Sequence, residues 1–112
     1  MIIMNTTRNI TLAQQAKLAD TFWLRLRGLL GTDCLPDGNA LIIKPCSSVH
    51  TFGMKYPIDV IFAGKDNRIL KTVDAMRPGG ISACSGSSYV VELPAGSLAA
   101  TRTSCGDIIE YR

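Results

Sequence analysis

The chain has 112 residues, 46% of them hydrophobic and 19% charged, and this length suits one hydrophobic core. Residues 1–112 are therefore predicted to form a single domain. A formal net charge of +3 is too small to indicate a nucleic-acid-binding face. The apolar runs are shorter than the roughly 18 residues of a membrane-spanning helix. We therefore expect no nucleic-acid partner and no membrane span. The first 18 residues are too polar for a signal peptide, which predicts a cytoplasmic location.

The beginning of the chain predicts two short strands and then a helix. Residues 2–5 and 10–12 are apolar stretches around a polar turn, and residues 14–19 are expected to form a connector. From Thr21 to Leu30, apolar residues recur at spacings of three and four, which predicts a helix of about three turns with one apolar face. Gly31 supplies the stop, and Gly28 inside the helix indicates a close approach to another backbone. The apolar residues of this face are Phe22, Trp23, Leu26, Leu29 and Leu30.

The middle of the chain predicts strands separated by strong turn signals. A turn at residues 36–39 leads into a strand at 40–44. A hairpin follows, with strands at 58–63 and 68–73, and Asn67 in its turn is a residue type that tolerates a positive φ. Both strands of this hairpin are expected to be central in the sheet.

The last part of the chain combines a long loop with further strands. Residues 74–87 are rich in Gly and Ser, and so long a connection in a small domain is predicted to be mobile or functional. Strands are predicted at 89–93 and 108–111, with a helical turn after Ser97. The elements together predict an α+β fold that is mostly β.

Four cysteines, Cys34, Cys46, Cys84 and Cys105, are predicted to be free thiols. No pair has the C-x-x-C spacing of redox motifs and zinc knuckles, and a cytoplasmic location favours reduced cysteines. Cys46 and His50 are four residues apart, but closed zinc sites draw their ligands from two such pairs. We therefore expect no metal and no cofactor.

Four stretches of the chain together are similar to one known family. They are the segment from Pro45 to Phe62, Arg25-Leu26-Arg27-Gly28-Leu29-Leu30-Gly31, Val91-Glu92-Leu93-Pro94-Ala95-Gly96, and Gly106-Asp107. In their order along the chain, these stretches resemble the family known as domain of unknown function 192, and they cover nearly the whole chain. The resemblance implies a small, mostly antiparallel β-barrel with one short helix packed against it. It implies almost nothing about function, because the family is uncharacterised biochemically.

Two departures from the family pattern affect the turn and the long loop. Asn67 occupies the position where relatives commonly have the glycine of the hairpin turn. Gly79 and Gly80 follow Arg77-Pro78 where many relatives have a Trp and a basic residue. A role that depends on those bulky side chains is therefore not expected in this chain.

His50 is the only histidine, so it is the first candidate for acid–base chemistry near neutral pH. In one interpretation His50, Cys46 and Asp59 act as base, nucleophile and orienting group, as in cysteine hydrolases. In the other, His50 and Thr51 hydrogen-bond to backbone where strand pairing begins. The second interpretation is favoured, because a lone His without an activated thiol is weak evidence for catalysis.

Asp59 and Glu92 are charged residues within apolar strands. Alternation places Asp59 on one face with Ile61, so a buried carboxylate there needs an Arg, a Lys or backbone amides as partner. We expect Asp59 to be a structural pin. Glu92, between Val91 and Leu93, allows the same structural and functional interpretations. Two carboxylates lining one cavity would resemble a hydrolytic pair.

We therefore expect a non-catalytic binding or accessory module for an unknown small ligand or protein, with the small β-barrel fold that the family resemblance implies. Its site is placed around residues 46–55 and the loop 74–87. The alternative is a hydrolase-like enzyme that uses His50 with Cys46 or Asp59. The basic residues are expected to be solvated on strand edges. The candidate binding residues are Cys46, His50, Thr51, Met54, Lys55, Asp59 and Arg77.

Overall fold

The structure, a computed structural model, describes residues 1–112 and contains ten strands and two short helices. In chain order they are β1 (Ile3–Asn5), β2 (Ile10–Ala13), β3 (Gln15–Ala19), α1 (Phe22–Arg27), β4 (Asn39–Ile43), β5 (Ser48–His50), β6 (Ile58–Ala63), β7 (Ile69–Met76), β8 (Ile81–Ala83), β9 (Tyr89–Pro94), α2 (Ser97–Thr101) and β10 (Ile109–Tyr111). The predicted α+β class with mostly β structure is confirmed. Neither helix is long and apolar enough to cross a membrane.

The strands form three sheets that are not closed, so the small antiparallel β-barrel implied by the family resemblance is not supported. The sheets have the orders β10-β1-β2, β3-β4-β9-β6-β7 and β5-β8. In the five-stranded sheet, β3 and β7 are opposite edges that do not pair with each other, so the sheet stays open. The chain at the start of β7 is joined to the chain before β10 by the Arg68–Ile108 bridge and by three backbone hydrogen bonds between residues 67–69 and 106–109, but β7 and β10 form no continuous ladder. The pairs are antiparallel except β3 with β4, which is parallel.

The five-stranded sheet separates two hydrophobic clusters. One cluster of 14 buried residues lies between this sheet and the three-stranded sheet, and includes Ile3, Ile61 and Ile109. The other, of eight buried residues, lies on the opposite face and includes Val60 and Phe62. Because β6 and β9 bury every residue on both faces, the core lies between layers and not inside a cylinder.

The predicted hairpin is confirmed, although only one of its strands is central. β6 pairs with β7 around a turn in which Asn67 has φ 65°, the positive value expected there. β6 lies between β9 and β7, whereas β7 is an edge strand with mostly exposed or half-buried side chains. The helical turn predicted after Ser97 is α2.

Two segments predicted without strands contain them. The expected connector at residues 14–19 is mostly β3, which aligns with β4 from Gln15 opposite Asn39 to Ala19 opposite Ile43. The predicted loop at 74–87 contains the end of β7 and all of β8, which pairs with β5. These strands are short and half exposed, so their sequences carry little hydrophobic alternation.

The predicted helix at 21–30 is shorter and packs less than expected. α1 starts after Thr21, whose side chain accepts a hydrogen bond from the Leu24 amide at 3.2 Å, and ends at Gly28, where φ is 51°. None of its six residues is buried. Leu29, in the turn that follows, makes the contact with the core. The apolar residues left exposed on the helix are Phe22, Trp23, Leu24 and Leu26.

Candidate functional site

A cleft of about 570 Å³ lies on the side of the five-stranded sheet that carries α1. One wall is α1 with the turn after it, the other is the chain from Ile43 to His50, and Glu92 of β9 lies at the base. About half of the lining residues are hydrophobic and most of the others are polar or charged. A concave site that combines apolar side chains with polar groups is typical of small-molecule binding. The lining residues are Phe22, Arg25, Leu26, Arg27, Gly28, Leu29, Leu30, Ile43, Pro45, Cys46, Ser47, Ser48, Val49, His50, Met54, Ser87 and Glu92.

Glu92 is a buried carboxyl group without a protein partner. It is 3% exposed, and its Oε1 atom has no hydrogen bond. It lies opposite Val60 across β6 and β9, so it belongs to the apolar face that carries α1. Removal from water disfavours the charged form, and burial therefore raises the pKa of Glu92 from its ordinary 4.5 to about 7. Buried polar groups in native proteins are nearly always hydrogen-bonded, to protein, to ordered water or to a ligand.

Arg25 brings a second unpartnered polar group to the same cleft. Its Nη1 atom donates to the Pro45 carbonyl at 3.4 Å, while its buried Nε–H has no acceptor. Gly28 also lines the cleft, and a Cβ atom at this position would lie 3.7 Å from Glu92 Oε1. The end of α1 therefore passes directly over the Glu92 carboxyl. The neighbour of Gly28 is thus a side chain, and the predicted close approach to another backbone is wrong.

Cys46 and His50, both predicted as site residues, line this cleft together. Cys46 is half-buried, and its thiol donates to the Ser48 carbonyl at 3.2 Å. Burial raises the pKa of the Cys46 thiol, and the nearby Glu92 raises it further, against the lowering effects of that hydrogen bond and of Arg25. The exposed His50 stacks on Phe52 at 5.4 Å, and its Nδ1 accepts from the Phe52 amide at 3.3 Å.

The thiols therefore differ in expected reactivity. The thiolate is the species that reacts with alkylating agents, and a raised pKa lowers its population at pH 7.5. We expect iodoacetamide to modify the exposed Cys34 and Cys105 before Cys46. Peptide-level mass spectrometry of a time course measures the order. Modification of Cys46 ahead of the two exposed thiols would instead indicate an activated nucleophile.

Thr51 and Arg77, also predicted site residues, hold the neighbouring loop together. Thr51 is completely buried, and its hydroxyl donates to the Arg77 carbonyl at 2.6 Å and accepts from the Gly80 amide at 2.8 Å. The Arg77 residue itself is exposed and does not line the cleft. Thr51 therefore has the backbone-bonding geometry of the structural interpretation.

Met54 and Lys55 have different surroundings. Met54 is buried in the second cluster and lines the cleft. Lys55 lies outside it and forms an ion pair with Asp33 at 2.9 Å, in which both side chains are exposed. Such surface pairs contribute little to stability. Of the seven predicted residues, the structure brings Cys46, His50 and Met54 together in the cleft.

Asp59 lies on the opposite face of the sheet from the cleft. It is 1% exposed and opposite Leu93 of the larger cluster. Its Oδ1 accepts from the Ala75 amide at 2.8 Å, and its Oδ2 from the amides of Gly96 at 3.1 Å and Leu98 at 2.8 Å. Backbone amides are thus its partners, and the carboxylate ties β6 to the end of β7 and to α2.

Asp59 takes part in neither of the predicted catalytic arrangements. Asp59 is separated from Cys46 and His50 by the sheet, and the Cys46 thiol is directed to a carbonyl. Asp59 and Glu92 pair with Leu93 and Val60, which belong to different clusters, so the two carboxyl groups cannot line one cavity. The cleft instead offers one unpaired acid and one unpaired guanidinium donor.

The sequence interpretation did not include Arg25 and Glu92 among the site residues. Glu92 did carry a signal, since a charged residue interrupts the apolar run from Tyr89 to Leu93. A strand buried on both faces leaves no solvent-facing position for that charge. Arg25 carried no comparable signal, because it lies among other basic residues of an amphipathic segment.

Comparison with known proteins shows the family and supports the fold. A UPF0127 protein of Thermococcus sibiricus is 27% identical over 98% of this chain and 74% of its own length, and one of Thermococcus kodakarensis is 26% identical over 98% and 73%. A crystal structure of a protein of unknown function from Novosphingobium aromaticivorans superposes with TM-score 0.84 at 22% identity, covering 98% of this chain and 82% of that one. A candidate transcription regulator from Sinorhizobium meliloti gives TM-score 0.83 at 20% identity, covering 97% and 89%.

The structural similarities, at these identities, concern the fold alone. The family is shown by the sequence itself, because the model of the DUF192 family, described as "Uncharacterized ACR", matches residues 3–111. The family resemblance predicted from the sequence is therefore confirmed. The chain belongs to the DUF192 family of uncharacterised proteins.

Proposed function

We propose that this protein is a non-catalytic binding module that takes a small, partly apolar molecule in the cleft between α1 and the five-stranded sheet. The observation that carries the proposal is the Glu92 carboxyl, which is 3% exposed and has no partner at its Oε1 atom. An unpaired buried polar atom costs roughly 1–3 kcal/mol, more when charged. A ligand that hydrogen-bonds to Glu92 recovers this energy in the complex.

The walls of the cleft support a ligand with an apolar body. Leu29, Val49 and Met54 are buried members of the second cluster that also line the cleft. Phe22 and Leu26 line its outer side while remaining 63% and 57% exposed. A bound apolar group would cover these exposed surfaces and gain their transfer free energy.

A binding role suits the chemistry of the cleft better than the hydrolase alternative. Cys46 is a thiol whose pKa is raised by burial, which makes it a poor nucleophile at neutral pH. The histidine beside it has no carboxylate to orient it, since Asp59 binds three backbone amides on the other face. These arrangements favour recognition over covalent chemistry.

The proposal includes a cytoplasmic location and a small molecule, not a nucleic acid, as the partner. The four cysteines are unpaired in the structure, which fits a reducing compartment. The two unpartnered polar groups lie inside a concave cleft, where the backbone of a nucleic acid would reach them poorly. Phe22 and Trp23 are exposed beside Arg25, and such aromatic and basic side chains can bind single-stranded nucleic acid. A short oligouridylate is therefore a useful negative control in a binding assay.

A titration of ¹⁵N-labelled protein with three eight-carbon amphiphiles tests the proposal. The probes are octanoate, octylamine and octanamide, which share an apolar chain and differ in head group. We expect at least one of them to give saturable, one-to-one amide shifts concentrated in residues 25–30, 43–50 and 92. Oligouridylate is expected to leave these signals in place.

A matched pair of variants on α1 links binding to the cleft. Leu26 lines the cleft and Leu24, 45% exposed on the same helix, does not. Leu26→Ser removes apolar contact with the ligand and is expected to weaken binding about tenfold, whereas Leu24→Ser is expected to have little effect. Absence of binding by all three probes, or equal effects of the two variants, would contradict the proposed function.

A further inference from the structure

We infer that the ligand of this cleft is an amphiphilic monocarboxylate, held by the Arg25 guanidinium and by the Glu92 carboxyl acting as a hydrogen-bond donor. The inference rests on the proposed function and names the chemical class of its ligand. The supporting observation is that Arg25 and Glu92 line the same cleft and that each has a buried polar atom, Nε and Oε1, without a hydrogen-bond partner.

Arg25 has the donors that a carboxylate requires. Its Nη1 is occupied by the Pro45 carbonyl at 3.4 Å, and its Nε–H is buried without an acceptor. The Nε and Nη2 atoms of a guanidinium form one edge of a rigid fork that fits the two oxygens of a carboxylate. Arginine also stays charged throughout the physiological pH range, so its attraction for an anion is permanent.

Glu92 can donate a hydrogen bond to the ligand carboxylate only when Glu92 itself is protonated. A protonated carboxyl donates one O–H, and hydrogen bonds from O–H to a carboxylate are short and strong. Burial raises the pKa of Glu92 to about 7, so the protonated form is present near neutral pH. An ionised Glu92 would repel the ligand, so binding is coupled to uptake of one proton.

The other charged and titratable groups of the cleft favour an anion over an amine. Arg25 and Arg27 face it from α1, Cys46 and His50 from the opposite wall, and Glu92 from the base. Two permanent positive charges disfavour an ammonium group. A neutral carboxamide can pair with both orphaned atoms but gains no charge-assisted bond from Arg25.

Isothermal titration calorimetry with octanoate, octanamide and octylamine at pH 6 and pH 8 tests the inference. We expect octanoate to bind most tightly. Because the competent form is the protonated one, octanoate should bind about tenfold more weakly at pH 8 than at pH 6. Calorimetry in buffers of different ionisation enthalpy should show proton uptake approaching one at pH 8.

Variants at the two recognition residues separate their roles. Glu92→Gln keeps an N–H donor that does not titrate, so octanoate should still bind and the pH dependence should disappear. Arg25→Gln should weaken octanoate binding at least tenfold, and Arg25→Lys should also weaken it, because lysine lacks the fork. Arg112→Gln removes one positive charge outside the cleft and should leave binding unchanged. Thermal melts confirm that each variant is folded.

The outcomes distinguish the inference from the proposed function. Tighter binding of octylamine or octanamide than octanoate would overturn the carboxylate inference and leave the binding module in place. Persistence of the pH dependence in Glu92→Gln would overturn the assigned role of Glu92. Failure of all three probes to bind would overturn the proposed function itself.

Discussion

Replacing Asp59 with alanine is expected to lower the free energy of unfolding by roughly 4 kcal/mol. The carboxylate accepts hydrogen bonds from the amides of Ala75, Gly96 and Leu98. The substitution leaves one buried donor, at Leu98, and two partly buried donors without this acceptor. Each orphaned donor costs roughly 1–3 kcal/mol. For a domain of this size the loss corresponds to a decrease in Tm of about 15–25 °C.

Thermal unfolding followed by circular dichroism measures this effect, and two further variants calibrate it. Asp74 is exposed and makes no hydrogen bond with its side chain, so Asp74→Ala should change stability by less than about 0.5 kcal/mol. Asp59→Asn keeps one carbonyl acceptor, so its loss of stability should lie between those of Asp59→Ala and Asp74→Ala. A Tm for Asp59→Ala within a few degrees of the parent protein would contradict the assigned structural role.

Replacing Glu92 with glutamine is expected to raise the free energy of unfolding at alkaline pH, whereas Asp59→Ala lowers it. Burial holds the pKa of Glu92 at about 7 in the folded protein, above the ordinary 4.5. Between these pH values the unfolded chain loses its proton while the folded protein retains it, so stability falls as pH rises. The loss reaches roughly 3 kcal/mol above pH 7, and glutamine, which does not ionise, avoids it.

Urea denaturation of the parent protein and Glu92→Gln at pH 4 and pH 8 measures the difference. The two proteins should have similar stability at pH 4, and the variant should be more stable by roughly 3 kcal/mol at pH 8. Glu110→Gln serves as the control, because Glu110 is exposed and its Oε1 lies 3.9 Å from Nη1 of Arg112. Its stability relative to the parent protein should be the same at both pH values. A gap between parent and Glu92→Gln that is the same at both pH values would show that Glu92 ionises without penalty.

These two carboxyl groups show what the sequence can and cannot predict about a site. Asp59 and Glu92 look alike in sequence, each inside an apolar strand, and both were interpreted in the same way. Strand alternation correctly separated the faces of β6, with Ile58, Val60 and Phe62 in one cluster and Ile61 in the other. Which face meets amide donors depends on α2 and the end of β7, and no local pattern records that contact.

The fold was predictable where local signals and burial coincide. The β6–β7 hairpin has a turn residue suited to positive φ, and β9 is an apolar run between turns. β3, β5 and β8 lack these signals, because their pairing depends on partners 24 to 35 residues away in the chain. Long-range pairing of short, half-exposed strands is beyond what periodicity can indicate.

The predicted packing of the helix on the core is wrong, and the physical reason also explains the cleft. The apolar spacing from Phe22 to Leu30 matches a helix, yet Gly28 takes a positive φ and ends it early. Leu29 then enters the core and Leu30 packs against it, whereas Phe22 and Leu26 of α1 stay exposed. The space between α1 and Glu92 is the candidate binding site.

An NMR pH titration of the Glu92 side-chain carboxyl carbon in selectively ¹³C-labelled protein, with Glu92→Gln used for assignment, tests the assigned role of Glu92 most directly. We expect a pKa of about 7 in the free protein, because burial without a hydrogen-bond partner disfavours the carboxylate. Saturating octanoate should raise it further, since the bound anion stabilises the proton. A titration in the ordinary range near 4.5 would mean that Glu92 is hydrated or paired, and would remove the observation on which the binding site rests.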